Sequence, residues 1–305
     1  MNSDPVELAA QLADVVDGQI LTDTPLAPFT SYKIGGATAV WVAPNTKVGV
    51  GHALEVINEK KAPLFILGRG SNLLISDQGW DGVTLYLGEN ISNWTFDNRQ
   101  AEVLAGTLLM DLIRAAVKKG LSGLELLAGI PGGVGGALRM NAGAFGQEIE
   151  QVTVSVSGFG RDGTPFSADR HKINFDYRRV PELHRVVITS ASFQFTEADA
   201  GALKTRMHDI LALRAVKQPL DYPSCGSVFK RPAGYYAGAL IEEAGLKGKR
   251  IGGAMISRKH AGFILNVDNA KAADVCALIQ LIEARVLDRF GVRLEREVKL
   301  IGEFQ

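Results

Sequence analysis

A serine followed three residues later by a lysine, Ser227 and Lys230, stands in the strand-like segment 226–230. A second strand-like segment, residues 293–302, places carboxylates and cations at alternate positions against a mostly apolar opposite face. A hydroxyl supported by charged neighbours suits a proton donor. Two ordinary edge strands with a solvated polar face would show the same pattern, so the rest of the chain must decide between the two interpretations.

Three separate glycine-rich loops, residues 30–36, 67–74 and 129–137, form the second signal. Without a Cβ their peptide N–H groups can approach a ligand closely, as in the nests that hold phosphates. A Rossmann fingerprint is not met, because Leu73 stands where the third glycine would be, and no Lys-Ser or Lys-Thr follows the 129–137 loop as a P-loop requires. The loops therefore predict a pyrophosphate-bearing cofactor that is bound mainly by main chain.

Composition indicates a globular protein of enzyme size. A chain of 305 residues with 46% hydrophobic content predicts two or three compact units with sizeable cores. The 33 Lys and Arg residues equal the 33 Asp and Glu residues, so no basic field favours nucleic acid or an anionic membrane as a partner. No apolar run approaches the thickness of a bilayer, which predicts no membrane span.

The two cysteines, Cys225 and Cys276, form neither a disulfide framework nor a CxxC pair. The five histidines have no metal-ligand spacing, and we therefore expect no metal site. Both features are compatible with a reducing compartment, and we expect a cytoplasmic location.

Apolar spacing and capping residues predict helices and strands in alternation. Predicted helices, with Asp4, Thr46 and Thr196 as N-caps of the first, second and fourth, cover residues 5–17, 47–61, 107–119, 197–216, 236–244 and 270–290. Predicted strands include residues 63–67, 152–156, 186–195, 263–266 and 294–301. The proline-containing segment 218–223 is typical of a linker at a domain boundary.

The order of motifs along the chain resembles that of the UDP-N-acetylenolpyruvoylglucosamine reductases. Besides the three glycine loops, the matching segments are residues 140–146, 175–178, 226–230, 245–248, 259–263 and 297–302. The resemblance covers nearly the whole chain, and the joint order is far more specific than any single motif. It implies an α+β protein with a vanillyl-alcohol-oxidase-type FAD-binding fold of two subdomains, residues 1–75 and 76–205, and a C-terminal α+β substrate domain, residues 206–305.

The resemblance also implies chemistry and partners. It implies non-covalent FAD, NADPH as hydride donor, a nucleotide-sugar substrate, a place in peptidoglycan precursor synthesis and no obligate protein partner. Ser227 resembles the family's proton donor, Arg178 its carboxylate-polarising arginine and Glu297 the acidic partner in that stabilisation. Glu297 could act as a protonated hydrogen-bond donor or as an anchor for Arg178, and the sequence leaves both roles open.

Further contacts are implied by the same resemblance. The expected cofactor contacts are Tyr32, Ile34, Gly35, Gly36, Leu67, Gly68, Arg69, Gly70, Ser71, Asn72, Gly129, Ile130, Pro131, Gly132, Gly135, Gly136, Asn141 and Gly143. The expected substrate contacts are Lys217, Lys230, Lys247, His260 and Asn266.

The chain departs from the family pattern at two positions. Arg231 stands where an asparagine is common, and Lys299 stands where an arginine is common, so the planar fork of guanidinium is lost there. The connection from Arg178 to the strand at Val186 is too short for the tyrosine-bearing insertion of one subtype, which predicts the shorter subtype. Cys225 has no oriented histidine partner and is interpreted as a neighbour of the site.

Two alternatives come from other classes. One is another flavoenzyme of the same fold, such as an FAD-dependent oxidase of alcohols or sugars, which would lack the Gly-Ser-x-Phe-Lys segment. The other is a nucleotide-sugar-binding protein that has lost its chemistry, which the presence of Ser227, Arg178 and Glu297 argues against.

Overall fold

The structure, a computed structural model, describes residues 4–304 of the chain. These residues divide into two compact units. Unit 1 comprises residues 4–23, 39–69 and 82–214, and unit 2 comprises residues 24–38, 70–81 and 215–304. The predicted division at residues 75 and 205 into three domains stays a prediction. None of the helices formed by the described residues has the length and apolarity needed to span a membrane.

The first two predicted helices begin after residues whose side chains accept from free N–H groups of the first turn. Asp4 Oδ1 accepts from Val6 N at 2.9 Å, and Thr46 Oγ1 accepts from Gly49 N at 3.0 Å. The α-helices are α1 (Pro5–Val15), α2 (Lys47–Glu59), α3 (Leu109–Lys118), α4 (Val134–Arg139), α5 (Ala200–Lys217), α6 (Ala237–Glu243) and α7 (Ala272–Phe290).

Strands are shared among several small sheets. They are β1 (Gly18–Pro25), β2 (Ala37–Pro44), β3 (Leu64–Leu67), β4 (Leu73–Ile75), β5 (Trp80–Tyr86), β6 (Trp94–Asp97), β7 (Gln100–Leu104), β8 (Leu121–Ser122), β9 (Gly143–Ala144), β10 (Gln147–Glu148), β11 (Thr153–Gly160), β12 (Pro165–Asp169), β13 (Val186–Gln194), β14 (Thr196–Glu197), β15 (Arg250–Ile251), β16 (Ala254–Ile256), β17 (Ile264–Asn266) and β18 (Lys299–Ile301).

Unit 1 contains an antiparallel sheet of order β12-β11-β13-β7-β6. A second sheet has the order β1-β2-β5-β3, with β3 and β5 parallel. In unit 2, β15, β16 and β17 form an antiparallel sheet, and β18 pairs in parallel with β4.

Two sequence predictions about elements are wrong. Thr196 does not cap α5 but lies in β14, where it pairs with Ser122 of β8. Asp199 takes the capping role, since its Oδ1 accepts from Ala202 N at 2.7 Å. The predicted strand 294–301 is also too long, because regular pairing is confined to β18 and only a single bridge, between Arg296 and Phe229, precedes it.

The core of unit 2 anchors the segments that carry Ser227 and Glu297. Val228 and Val298, the residues next to them, are buried in one apolar cluster. Helix α7 supplies a stripe at helical spacing to the same cluster, formed by Val275, Ile279, Ile282 and Val286. Burial of the two valines fixes which way their polar neighbours face.

Candidate active site

Unit 2 brings together the two segments that the sequence singled out. Val228 N donates to Gly262 O at 3.0 Å, and Glu297 N donates to Val228 O at 2.8 Å. Single β-bridges join Ser227 to Phe263 and Phe229 to Arg296. The serine segment is therefore held between two neighbours, and Glu297 is bonded to the residue that follows Ser227.

The backbone presents Ser227 to solvent. Gly226 has φ +81°, a conformation that is strained for any residue with a Cβ, so glycine is required before the serine. Val228 is 1% exposed, whereas Ser227 is exposed.

Glu297 lies on the polar side of its segment, as predicted. Leu294 and Val298 are buried, Lys299 is exposed and Glu297 is half-buried, which confirms the expected alternation. Asn72 forms hydrogen bonds with the backbone of this segment at two residues, Glu297 and Lys299. Its Nδ2 donates to Glu297 O at 3.1 Å, and its carbonyl accepts from Lys299 N at 3.1 Å.

A buried thiol and phenol lie beneath the serine segment. Burial raises the pKa of the Cys225 thiol to about 12, against which the Tyr32 hydroxyl is the main opposing influence. Burial likewise raises the pKa of Tyr32 well above its usual value. Cys225 therefore stays protonated at neutral pH and is no nucleophile, in agreement with its interpretation as a neighbour. The Tyr32 ring is fully buried, so this predicted cofactor contact is available only through main chain.

Two of the predicted substrate lysines are held by carboxylates in unit 2. Lys230 Nζ lies 2.5 Å from Glu295 Oε1, and Lys247 Nζ lies 2.7 Å from Glu242 Oε1. The lysine side chains are more buried than the carboxylates, which gives each ammonium a defined position. Lys217, a third predicted contact, is exposed.

His260 is held as an acceptor. Its Nδ1 accepts from Gly262 N at 3.1 Å, which leaves Nε2 to carry the hydrogen of the neutral ring. Burial lowers the pKa of His260, a backbone hydrogen bond partly opposes this, and the charge of Lys247 lowers the pKa further. Asn266 is engaged within the fold, since its Nδ2 donates to Tyr32 O at 2.9 Å and its Oδ1 accepts from Ala270 N at 2.8 Å.

Arg178, the third predicted catalytic residue, lies in unit 1 at a tight turn. Asp176 and Arg179 exchange two backbone hydrogen bonds across the turn, and Arg178 adopts φ +54°. Its Nη1 donates to Asn141 O at 3.3 Å and its Nη2 donates to Gly143 O at 2.9 Å. The planar fork is thus fixed against the loop that carries two predicted cofactor contacts.

Asn141 carries an unsatisfied acceptor. The side chain is fully buried, and its Nδ2 donates to Glu148 Oε2 at 2.7 Å. Its Oδ1 has no hydrogen-bond partner among residues 4–304. Because buried amide oxygens are nearly always paired, this atom fits a donor supplied by a bound molecule.

Two predicted cofactor glycines of unit 1 open onto free space. A Cβ on Gly136 would meet no atom within 4 Å, and one on Gly68 would meet only Leu87 O, at 4.0 Å. Arg69 connects their loops, because its Nε and Nη2 donate to Gly106 O at 3.1 and 3.0 Å while its Cγ lies 3.6 Å from the Cβ position of Gly133. Gly68, Gly136 and Arg69 thus line an open space, the cradle, which side chains at the two glycine positions would fill.

The glycines of unit 2 serve close chain packing instead. A Cβ on Gly70 would collide with Phe29 O, and one on Gly36 would collide with Asp77 O. Ser31 N donates to Gly70 O at 3.0 Å, so the 30–36 and 70–72 loops lie together. The peptide groups of these loops can bind a ligand, but close packing of the chain is sufficient to account for their glycines.

The donors described above fit FAD. A polar, pyrophosphate-bearing group could be bound by the peptide groups of the glycine loops and by the fixed cation of Arg69. The buried oxygen of Asn141 could accept a hydrogen bond from the same group. In the part of the chain that the structure describes, no group of three or more His, Cys, Asp and Glu is placed to hold a metal ion.

Comparison with known proteins gives the family. A family model described as FAD binding domain matches residues 38–167, and one described as UDP-N-acetylenolpyruvoylglucosamine reductase, C-terminal domain, matches residues 218–301. A relative of that name from Pediococcus pentosaceus is 42% identical over 286 residues, which are 93% of this chain and 95% of that protein. The chain belongs to the UDP-N-acetylenolpyruvoylglucosamine reductase family. A family member from Clostridioides difficile is 39% identical over 93% of the chain and 94% of its own length.

Solved structures agree with the family assignment. The UDP-N-acetylenolpyruvylglucosamine reductase from Thermus caldophilus matches with a TM-score of 0.80 and 34% identity, over 94% of this chain and 99% of that one. A Phl p 4 variant, a glucose oxidase, matches 64% of this chain and 44% of its own with a TM-score of 0.50 and 13% identity, which shows the fold alone. The predicted α+β class and FAD-binding fold are confirmed, and family membership decides against the alternative of an alcohol or sugar oxidase.

Sequence reasoning missed two residues of unit 1 that the geometry places beside predicted ones. Glu148 accepts from Asn141, and the side chain of Arg214 packs on Gly129. For Arg214 the sequence offers one signal, which is its position one helical turn before the predicted contact Lys217 on α5. Nothing in the sequence pattern separates Glu148 from an ordinary surface carboxylate.

Proposed function

We infer that this protein reduces UDP-N-acetylenolpyruvoylglucosamine to UDP-N-acetylmuramate with non-covalently bound FAD and with NADPH as hydride donor, a step of peptidoglycan precursor synthesis. One observation supports this function most directly. In a chain of this family, Glu297 N is hydrogen-bonded to Val228 O, so the candidate proton donor and the candidate acid lie on adjoining segments of unit 2. A nucleotide-sugar is the substrate.

FAD, when bound, would accept hydride from NADPH and deliver it to the methylene carbon of the enolpyruvyl group. We assign its contacts in unit 1 to the open loops at Gly68 and Gly136, to Arg69 and to the unsatisfied oxygen of Asn141. The buried Tyr32, Ile34 and Leu67 can contribute only through main chain.

Ser227 donates the proton that completes the lactyl ether. A serine hydroxyl is a weak acid, so it can protonate only a strongly basic, enolate-like carbon. Such a carbon is formed when hydride adds to the neighbouring methylene. The exposed position of Ser227 leaves its hydroxyl accessible to substrate, and Lys230, paired with Glu295, supplies a cation on the same segment.

Arg178 and Glu297 stabilise the negative charge that develops on the substrate carboxylate. The guanidinium of Arg178 is planar and held by two carbonyls, so little reorganisation is needed when charge appears. Glu297, on the segment bonded to the residue after Ser227, is assigned to the same stabilisation. Preorganised donors of this kind are each worth roughly 10²–10³ in turnover.

Cations of unit 2 hold the nucleotide diphosphate. Lys230 and Lys247 are positioned by carboxylates, and neutral His260 can donate from Nε2. Lys217 completes the set as an exposed cation. Asn266 acts through the fold by tying down the Tyr32 loop.

We propose domains at residues 1–75, 76–205 and 206–305 and a cytoplasmic location. The match of the C-terminal family model to residues 218–301 supports the last domain. The thiols of Cys225 and Cys276, both free and buried, are compatible with a reducing compartment.

Substitution of the serine tests the function. Ser227→Ala should leave reduction of the flavin by NADPH nearly unchanged, because the hydroxyl is needed only after hydride has reached the substrate. Reoxidation by UDP-N-acetylenolpyruvoylglucosamine should slow by several orders of magnitude in stopped-flow absorbance. Ser224→Ala, three residues away, is the matched control. Equal slowing of both half-reactions by Ser227→Ala would remove Ser227 from the proton transfer, and a wild-type protein without substrate-dependent reoxidation would remove the function itself.

A further inference from the structure

Glu148 is a carboxylate of unit 1 to which the mechanism above gives no role. It lies in β10, which pairs with β9 so that Glu148 stands opposite Gly143. A Cβ on Gly143 would lie 2.7 Å from Glu148 Cγ and 3.3 Å from Glu148 Oε1. The absence of a side chain at Gly143 therefore leaves room for the half-buried glutamate, which reaches Asn141.

The carboxylate of Glu148 decides how the amide of Asn141 is oriented. An ionised carboxylate can only accept hydrogen bonds, so the amide atom that lies 2.7 Å from Glu148 Oε2 must be the nitrogen. The same nitrogen also donates to Asp176 O, at the longer distance of 3.4 Å. Because the bond to Glu148 is shorter and is assisted by charge, it contributes most to holding the amide in this orientation.

With its nitrogen engaged in this way, the amide is left with an unpaired oxygen. Asn141 is 0% exposed, and its Oδ1 has no hydrogen-bond partner among residues 4–304. A buried acceptor of this kind needs a donor. The pyrophosphate of FAD carries only acceptor oxygens at neutral pH, so the partner of Oδ1 must be another part of the cofactor.

The position of Asn141 favours the flavin ring system as that partner. Arg178 donates to Asn141 O at 3.3 Å and to Gly143 O at 2.9 Å, and we assign Arg178 to the substrate carboxylate. The substrate must meet the flavin ring during hydride transfer, so the loop that carries Asn141 belongs to the ring end of FAD and not to its adenine end. N3–H is a donor of this ring in both its oxidised and its reduced state.

We propose that Glu148 is a positioning residue for the cofactor, which fixes the amide of Asn141 so that its Oδ1 accepts a hydrogen bond from N3–H of the bound flavin. The proposal rests on the function inferred above, in that it takes FAD as the cofactor. Glu148 acts through Asn141 and not by contact with the flavin. Without the carboxylate, the amide can rotate and turn its own N–H groups toward N3–H, where no hydrogen bond can form.

Competition between FAD and 3-methyl-FAD tests the proposal. In 3-methyl-FAD a methyl group replaces the hydrogen on N3, so this analogue has no donor to lose. The holoenzyme is equilibrated with an excess of 3-methyl-FAD, and mass spectrometry of the retained flavins gives the ratio of the two Kd values. A merely structural role for Glu148 would weaken both flavins equally and leave this ratio unchanged.

Three substitutions separate the acceptor from its surroundings. Glu148→Met removes the carboxylate but keeps a side chain of similar length beside Gly143, and it should lower the preference for FAD by roughly tenfold or more. Glu148→Gln keeps an oxygen that can accept from Asn141 and should retain most of the preference. Glu150→Met is the matched control and should retain all of it, because Glu150 is a half-buried carboxylate two residues away that pairs with Arg170.

Other outcomes would overturn the proposal. Equal binding of FAD and 3-methyl-FAD by the wild type would show that Oδ1 does not accept from N3–H. The wild-type preference in Glu148→Met, or an equal loss of it in Glu150→Met, would show that Glu148 does not orient the amide. If Glu148→Met retains neither flavin, Glu148→Ala takes its place, and failure of both variants to retain flavin would leave Glu148 with a structural role only.

The experiment also separates this proposal from the proposed function. No NADPH or nucleotide-sugar is present, so a missing preference in a wild-type protein that holds FAD would overturn the role of Glu148 and leave the inferred reaction intact. A wild-type protein that holds no FAD would refute both.

Discussion

At the scale of single residues, Arg178 adopts a left-handed backbone conformation that residues with a Cβ disfavour. A left-handed conformation costs a residue with a Cβ about 1–2 kcal/mol, and arginine has no short side chain to compensate locally. The surrounding turn holds it there, through the paired backbone bonds of Asp176 and Arg179. This turn fixes where the guanidinium of Arg178 lies.

Arg178→Lys should separate position from charge. The ammonium cannot reach both Asn141 O and Gly143 O and still present a fork to a carboxylate, so turnover should fall about 10²–10³-fold. Stability should change by less than about 1 kcal/mol, because the turn and its backbone bonds remain. Arg179→Lys, the exposed neighbour in the same turn, is the control and should keep full turnover. Steady-state kinetics and thermal unfolding measure both effects, and equal activity of the two variants would contradict the role of Arg178.

The buried Cys225 gives a prediction about pH. Its pKa is raised from 9.0 to about 12 by burial, so the folded state disfavours the thiolate. This contribution to stability is complete below pH 9 and is lost as the pH rises toward 12. Cys225→Ser should therefore show a shallower fall of the melting temperature across that range than the wild type. Tyr32, whose pKa is also raised, preserves part of the slope in the variant. An identical slope in the two proteins would show that the thiol does not titrate in this range.

Whether the sequence could predict a residue's role depends on how far apart along the chain the interacting residues lie. Ser227 and Glu297 stay predictions as site residues, and they could be singled out because alternation along a segment is local and visible in the chain. The packing of Arg214 against Gly129 could not be predicted, because the two residues are distant in sequence. Tyr32 was expected as a cofactor contact, and only the fold shows that its ring fills the core of unit 2.

At the scale of elements, the segment before β18 keeps the side-chain alternation of a strand without regular strand pairing. Glu297 N donates to Val228 O, but a continuous ladder begins only at Lys299. The strand prediction was wrong about the extent of hydrogen bonding but right about which side chains are buried. Alternation of buried and exposed side chains requires only extended chain with one buried face. The prediction that Thr196 caps α5 was wrong for another reason. Two candidate caps, Thr196 and Asp199, lie within four residues, and Thr196 is paired with β8.

Glu297 and Val298 should therefore respond in opposite ways. Glu297→Gln should lower turnover at least tenfold and change stability by less than about 1 kcal/mol, because its side chain is half-buried on the polar face. Val298→Asp places a charge in the core and should cost about 3 kcal/mol or more. Turnover and urea unfolding of the two variants measure the contrast. A Gln variant with unchanged turnover would exclude Glu297 from the mechanism.

At the scale of the whole molecule, cofactor binding should appear as stability. A ligand that binds only the folded state at 100 times its Kd adds about 2.7 kcal/mol. FAD should accordingly raise the melting temperature of the wild-type protein, and the flavin should be released on denaturation. Gly136→Leu fills the open space at the cradle and should abolish most of this rise, whereas Gly201→Leu, on an exposed turn of α5, should not. A full FAD shift in Gly136→Leu would place the cofactor elsewhere.

The pairing of β4 with β18 has a consequence for how the protein is made. Leu73 to Ile75 precede their partners, Lys299 to Ile301, by 226 residues along the chain. At roughly 5–20 residues per second, β4 leaves the ribosome about 10–45 s before its partner exists. Leu74, which is fully buried in the finished core, must remain covered or soluble through that interval. A nascent chain of this protein therefore cannot complete unit 2 until β18 has been made, and a chain that stops before β18 would leave the apolar surface around β4 without its partner strand.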